Sequence, residues 1–423
     1  MVGLPARGKS LIAGKIVRYL KWLSVTARIF NVGSYRRNDN PHPDANFFDV
    51  NNTAGEQARR AAAEAAVADM IKWFSNKKNK VGILDATNST KARRKWIYEK
   101  ITEAKLLHIF IESKCDDESI IMHNILDVKT TSPDYVGQDP EKAAQDFRDR
   151  IKNYEKVYES LDESEKDYSY VKVTNVGHQV VINRIQDYLS SRIVYYLTNL
   201  HIKPRSIWLS RHGESEYNVL KLIGGDSNLS PRGEEYAKIL PELLIKSGIP
   251  KDQKVVVWTS TLLRTNQTAR HVVEQLGFRK LEWKALDEID GGICDGYTYR
   301  QIAEKWPEDF AARDSDKYHY RYPGGESYAD VVARLEPIIM ELEREENVII
   351  VTHQAILRCI YAYFNETPSD ESPWQKIPLH TLIKLTPRAY GSKKEEFPAN
   401  IPAVSTYRAK GEVEEEAGDK PAE

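Results

Sequence analysis

The octapeptide Gly3-Leu4-Pro5-Ala6-Arg7-Gly8-Lys9-Ser10 narrows the folds open to this chain. It fits G-x-x-x-x-G-K-[ST], a turn that joins a buried strand to a helix and aims backbone N–H groups at phosphate oxygens. Lys9 would neutralise the β/γ-phosphates of a nucleotide, and the Ser10 hydroxyl would bind Mg²⁺. Only Met1 and Val2 precede Gly3, so most of the expected strand is missing and the sequence reads as N-terminally truncated or mis-started.

The rest of the first half suits such a turn. Apolar runs at Arg28–Val32, Val81–Leu84, Leu107–Ile111 and Tyr170–Val173 alternate with helical patterns at Ser10–Leu23, Glu56–Phe74 and Lys91–Ala104. That alternation predicts a parallel sheet covered by helices, with ligands at the carboxyl ends of the strands. Asp85 follows the second run directly, so it is a candidate metal partner or base. Three basic pairs, Arg36-Arg37, Arg59-Arg60 and Arg93-Arg94, together suit a sugar phosphate, because Arg binds phosphate bidentately. Helices are expected over Asp139–Leu161 and Val180–Asn199. Pro204 then breaks the pattern, which places a domain boundary between residues 203 and 204.

The second domain, 204–390, restarts with a strand at Ser206–Leu209 that runs into Arg211-His212-Gly213-Glu214-Ser215. A neutral, oriented histidine among cations can take a phosphoryl group. Further strands at Val255–Trp258, Val348–Val351 and Leu382–Leu385 give this half an α/β reading too. Arg211, His212, Arg264 and His353 fall at or just after strand ends, where they can converge and spread transferring charge. Glu288 is the candidate acid for the leaving oxygen, which requires a raised pKa. His42, His123, His178 and His271 have no matching partners and read as surface or packing residues. Gly213 would allow a close backbone approach. Residues 391–423 are polar and then acidic, and read as a disordered tail.

At 423 residues the chain exceeds one ordinary core, so two domains are expected. Its formal charge of -1 gives no global field for nucleic acid or a membrane surface. No apolar run approaches a membrane span. The three cysteines are widely spaced and fit a reducing cytoplasm rather than a disulfide framework. H-E-x-x-H spacing does not occur, which argues against a catalytic zinc site.

These motifs resemble the bifunctional 6-phosphofructo-2-kinase/fructose-2,6-bisphosphatase family. The likeness also runs through Phe30-Asn31-Val32-Gly33, Asp85-Ala86-Thr87-Asn88, Ser132-Pro133-Asp134-Tyr135, Ser191-Arg192-Ile193-Val194-Tyr195-Tyr196 and Tyr320-Arg321-Tyr322-Pro323. The resemblance implies a P-loop kinase domain that transfers the ATP γ-phosphate to the 2-hydroxyl of fructose 6-phosphate. Asp85 would be central to that step with Cys115 nearby, and Asn124 to Lys129 would complete the ATP pocket. Arg36, Arg59, Thr87, Arg93, Lys129, Arg150 and Tyr154 would hold fructose 6-phosphate. It implies a phosphoglycerate-mutase-like histidine phosphatase domain in the second half. There Asn218, Gly224, Tyr299, Arg313, Lys317, Tyr328, Gln354 and Arg358 would bind fructose 2,6-bisphosphate. Control of glycolysis and gluconeogenesis, and a homodimer, are further implications. The alternative is a fructose-2,6-bisphosphatase whose kinase-like domain only binds nucleotide.

Overall fold

Two units, each with its own apolar core, follow from the two series of strands. The computed structural model describes residues 1–37, 44–131, 134, 139–200, 205–250, 253–387 and 392–410; the side chains of 123, 126–131, 140 and 176 are outside that description. The chain packs as two units, Met1–Ile202 and Lys203–Glu423.

In the first unit, β1 (Ala27–Asn31) pairs in parallel with β2 (Val81–Asp85), with Asn31 opposite Asp85. β3 (Phe110–Lys114) pairs in parallel with β4 (Tyr170–Thr174), and β5 (Gln179–Asn183) lies antiparallel on β4. Met1 and Val2 join these two groups of strands. Val2 N donates to Ile111 O (2.7 Å), Ser113 N donates to Val2 O (3.0 Å), and the Met1 amino group donates to Leu84 O (2.9 Å). Two residues thus do the pairing of the strand expected before the cradle. Val2, Phe30, Ala66, Met70, Leu84, Ile97, Phe110 and Leu161 form the core beneath.

The helices start where the sequence supplies caps. Asn52 accepts from Gly55 N ahead of Thr53–Trp73, and Thr90 accepts from Arg93 N ahead of Lys91–Glu103. Helix Lys9–Trp22 instead begins at Gly8, whose left-handed φ of +73° turns the cradle into the helix.

In the second unit, six strands lie in the order β11-β10-β6-β9-β7-β8. Their ranges are β6 Ser206–Arg211, β7 Val255–Thr259, β8 Arg279–Glu282, β9 Asn347–Thr352, β10 Thr381–Pro387 and β11 Ser392–Pro398. β6, β9, β7 and β8 are parallel, while β10 lies antiparallel on β6 and β11 antiparallel on β10. β7 and β9 are buried along their whole length, as continuous apolar runs in a covered parallel sheet should be. Trp208, Tyr236, Leu240, Leu244, Val257 and Ile349 fill one face.

Several expectations shift. Val180–Asn199 is not one helix: Gln179–Asn183 is strand β5, and the helix covers only Tyr188–Asn199. The β-branched run at 180–182 favours extended geometry, and Asp187 supplies the actual cap to Ser190 N. The third strand begins at Phe110 rather than at Leu107, which is 82% exposed. The helix expected to reach Leu161 ends at Glu155. β8 and β11 escaped notice because edge strands of sequence RKLE and SKKEEFP carry little apolar signal. Residues 392–410, expected as disordered, continue the sheet and then pack along the unit, while 411–423 lie outside the described residues.

Arg94 leaves the expected basic clamp. It is fully buried, pairs with Glu165 through Nε (2.8 Å) and Nη2 (2.6 Å), and donates to Asn88 O and Glu159 O. Replacing it strands a buried carboxylate. Arg94→Leu should cost about 3–5 kcal/mol of stability, read as a lower midpoint in urea denaturation; an unchanged midpoint would refute this role.

Candidate active sites

The cradle of the first unit is shaped by close approach. Gly3 has a φ of +134°, and a Cβ there would lie 2.4 Å from Ser113 O. Gly3 N donates to Thr87 O (2.9 Å), and Asn124 Nδ2 donates to Ala6 O (2.9 Å). Arg7 Nε donates to Cys115 O (2.8 Å), next to Leu4 and Pro5, whose carbonyls accept from Lys9 (2.5 Å) and Arg7 (3.1 Å). Burial pushes the Lys9 ammonium down to about 8, with Asp85 opposing that fall. Ser10 Oγ and Asn31 Nδ2 both donate to Asp85 Oδ2, each at 2.7 Å. Asn31 is a residue that sequence reasoning gave no role; its position at the end of β1, opposite Asp85, is the available signal.

A pocket of about 510 Å³ opens beside the cradle, lined by Arg7, Gly8, Ser113, Cys115, Asn124 and, from further along the chain, Val173, Leu197 and Leu200. The Cys115 thiol belongs to an apolar cluster with Ile121, Ile125 and Phe147. The Lys129 side chain lies outside the described residues.

The arginines converge on an unforeseen pair of residues. Asp134 accepts from Arg36 (2.7 and 2.8 Å), Arg37 (3.1 Å) and Arg150 (3.1 Å). Phe48 carries Arg150, Arg36 and Arg59 at 3.9, 5.3 and 5.9 Å from its ring centroid, and the Tyr154 ring lies 5.8 Å away. Arg36 Nε and Nη1 are buried with no partner among the described residues. Arg93 stacks over Trp96 at 4.8 Å and interacts electrostatically with Tyr154, while Arg60 pairs with exposed Glu64.

In the second unit the adjacent strands β6, β9 and β7 deliver Arg211, His353 and Ser260 to one sheet end. His212 Nδ1 lies 2.7 Å from Gly213 O. A carbonyl only accepts, so Nδ1 carries the proton and Nε2 keeps its lone pair. Burial, then Arg264 and Arg211, hold His212 well below the usual imidazole range. The His353 ring lies 5.2 Å from that of His212 and is lowered the same way, by burial and then Arg264. Its Nε2 is 2.8 Å from Ser260 Oγ, and its Nδ1 is buried with no partner among the described residues. Gly213 has a specific reason: a Cβ there would lie 2.5 Å from Gly233 O.

Around this pair, Arg264 Nη1 donates to Gly225 O (2.7 Å). Glu288 Oε1 accepts from Ile289 N (2.9 Å) and Ala355 N (3.2 Å), and Arg334, unforeseen, holds the Glu288 carbonyl (3.2 Å). A pocket of about 1090 Å³ is lined by Arg211, His212, Arg264 and Glu288 at one end. Asn218, Gly224, Tyr299, Arg313, Lys317, Tyr328, Gln354 and Arg358 line the remainder. Arg313 is fixed by Tyr322 (2.7 Å) and Tyr299 (3.1 Å), Arg358 by Tyr328 (3.1 Å), and Lys317 by Pro373 O (2.9 Å). His178 is exposed and His271 sits 3.6 Å from Glu274, away from this pocket; His42 and the His123 side chain lie outside the described residues.

Comparison with known proteins agrees with these two geometries. Residues 1–204 match the family described as 6-phosphofructo-2-kinase, and 207–398 match the histidine phosphatase superfamily, branch 1. Human "6-phosphofructo-2-kinase/fructose-2,6-bisphosphatase 1" is 49% identical over 97% of this chain and 86% of that protein. The chain belongs to the 6-phosphofructo-2-kinase/fructose-2,6-bisphosphatase family. A Saccharomyces cerevisiae member named "Fructose-2,6-bisphosphatase" is 55% identical over 97% of this chain and 90% of its own length. An Aquarana catesbeiana member bearing both activities in its name is 50% identical over 97% of this chain and 86% of that protein. Membership accounts for a P-loop unit and a histidine phosphatase unit in one polypeptide.

Proposed function

We propose that this chain both makes and hydrolyses fructose 2,6-bisphosphate, with the two activities assigned to its two units, 1–203 and 204–390 extended by 391–410. The observation that carries the reading is the presence, in a member of this family, of both residue sets: a cradle tied to Asp85, and a buried His212 with a free Nε2.

For synthesis, the cradle backbone and Lys9 hold the ATP phosphates, and the apolar wall of Val173, Leu197 and Leu200 receives the base. Arg36, Arg59, Arg93 and Arg150, with Thr87 and Tyr154, hold fructose 6-phosphate; its 2-hydroxyl loses its proton toward Asp85 and bonds to the γ-phosphorus as the bond from that phosphorus to the β-phosphate oxygen breaks and ADP leaves. The Ser10 hydroxyl and Asp85 carboxylate lie 2.7 Å apart, a pair of hard oxygens that would suit Mg²⁺. When bound, that ion neutralises charge on the phosphates.

For hydrolysis, His212 Nε2 attacks the 2-phosphoryl phosphorus, the P–O2 bond breaks, and Glu288 gives the leaving oxygen its proton. Arg211, Arg264 and His353 stabilise the transferring group. Water, deprotonated by Glu288, then releases phosphate and restores His212. Arg313, Lys317 and Arg358 hold the distal phosphate, and Asn218, Gly224, Tyr299, Tyr328 and Gln354 complete the pocket.

The chain works as a cytoplasmic enzyme: its three cysteines are buried and none is in a disulfide, as suits a reducing compartment. Among the described residues, no helix is long and apolar enough to cross a membrane. It forms a homodimer, supported by edge strand β5, which among the described residues pairs on one side only and leaves Ile182 51% exposed. Sedimentation should give twice the monomer mass, and a monomer at micromolar concentration would refute this.

Purified protein given ATP and fructose 6-phosphate should form fructose 2,6-bisphosphate. Lys9→Met should lower synthesis by about a hundredfold or more while hydrolysis persists. His212→Ala should abolish hydrolysis while synthesis persists. Loss of both activities in either variant would contradict the division of labour.

A further inference from the structure

The chain beyond β11 stays on the second unit. Ala399 N donates to His380 O (2.9 Å), and Ile401 packs on the apolar core of the sheet. Val404 N donates to Glu214 Oε2 (2.8 Å). Glu214 is fully buried and also takes Ser230 Oγ (2.7 Å) and both sides of Arg232 (2.9 and 2.9 Å). Arg408 is buried against Asp314, and its guanidinium lies 4.7 Å from the Phe310 ring centroid and 5.2 Å from that of Tyr299. Residues 399–410 therefore form a strap fixed at both ends. Between the fixed points, Ser405 and Thr406 line the pocket that holds His212.

Thr406 makes the contact of consequence. Its Oγ1 accepts from Arg211 Nη1 at 2.7 Å, and the same nitrogen donates to Ile377 O at 3.0 Å. Two acceptors use both hydrogens of Nη1. The edge formed by Nε and Nη2 is left, and that edge is the one that grips an oxyanion through two parallel bonds. Arg211 Nε is buried with no partner among the described residues, as expected of a donor reserved for a ligand.

We propose that Thr406 is a positioning residue for phosphoryl transfer: the strap carries its hydroxyl to Arg211 and fixes the guanidinium with its two-donor edge open beside His212. Without the hydroxyl, Nη1 keeps only Ile377 O as an anchor, and the fork can turn away from the phosphoryl group. Valine keeps the shape of threonine and deletes the acceptor, whereas serine keeps the acceptor. The inference rests on Arg211 touching the transferring group.

Thr406→Val and Thr406→Ser are compared with the parent chain, using fructose 2,6-bisphosphate as substrate. Steady-state hydrolysis, rapid-quench formation of the phosphoenzyme and melting temperature are measured. Thr406→Val should lower kcat/KM about tenfold, mainly by slowing phosphoenzyme formation and not by raising KM, at an unchanged melting temperature. Thr406→Ser should stay within about twofold of the parent. A valine variant equal to the parent, a serine variant as impaired as valine, or a loss that follows a falling melting temperature would overturn the inference. A parent chain that forms no phosphoenzyme would overturn the phosphatase reading itself.

Discussion

The hydrogen bond from His212 Nδ1 to Gly213 O sets the chemistry of the second unit. It fixes the tautomer, and so it decides which ring nitrogen holds the lone pair. Burial with Arg211 and Arg264 nearby keeps the ring neutral, so the nucleophile needs no separate base to free it. Much of the surrounding fold serves that bond. Gly213 must be glycine because the turn passes against Gly233, and Glu214 clamps the turn through Arg232 and Ser230. His380 accepts from Glu214 N (2.9 Å) and stacks on Tyr236, which ties the turn to the sheet core.

The first unit uses the same economy of strand ends on a different problem. Asn31 and Asp85 stand opposite each other on β1 and β2, and Ser10 reaches Asp85 from the first turn of the helix. The buried Lys9 shares this corner with Asp85, whose charge opposes the fall that burial imposes on the ammonium. Met1 and Val2 hold the cradle between β2 and β3 through three backbone bonds.

What the sequence made legible follows from strand ends. Arg211, His212, Arg264 and His353 could be grouped because β6, β7 and β9 are strong apolar runs, each closing on a chemically distinctive residue. Asp134 and Phe48 were not legible as hubs for the arginines. Each lies far from Arg36 or Arg150 in the chain, and Phe48 sits on a 3₁₀ turn of only four residues, Ala45–Phe48, too short to show a period. Thr406 was hidden more deeply, because a polar, acidic stretch looks like a tail until backbone bonds to His380 and Glu214 bring it back. β5 was misread because a short β-branched run next to a true helix carries both periods at once.

The account turns on which nitrogen of His212 carries the phosphoryl group. The phosphoenzyme can be trapped from fructose 2,6-bisphosphate labelled in its 2-phosphate, and the site of attachment read by NMR of the digested phosphohistidine peptide. The account predicts label on His212 Nε2. Attachment at Nδ1, or label on another residue, would contradict it.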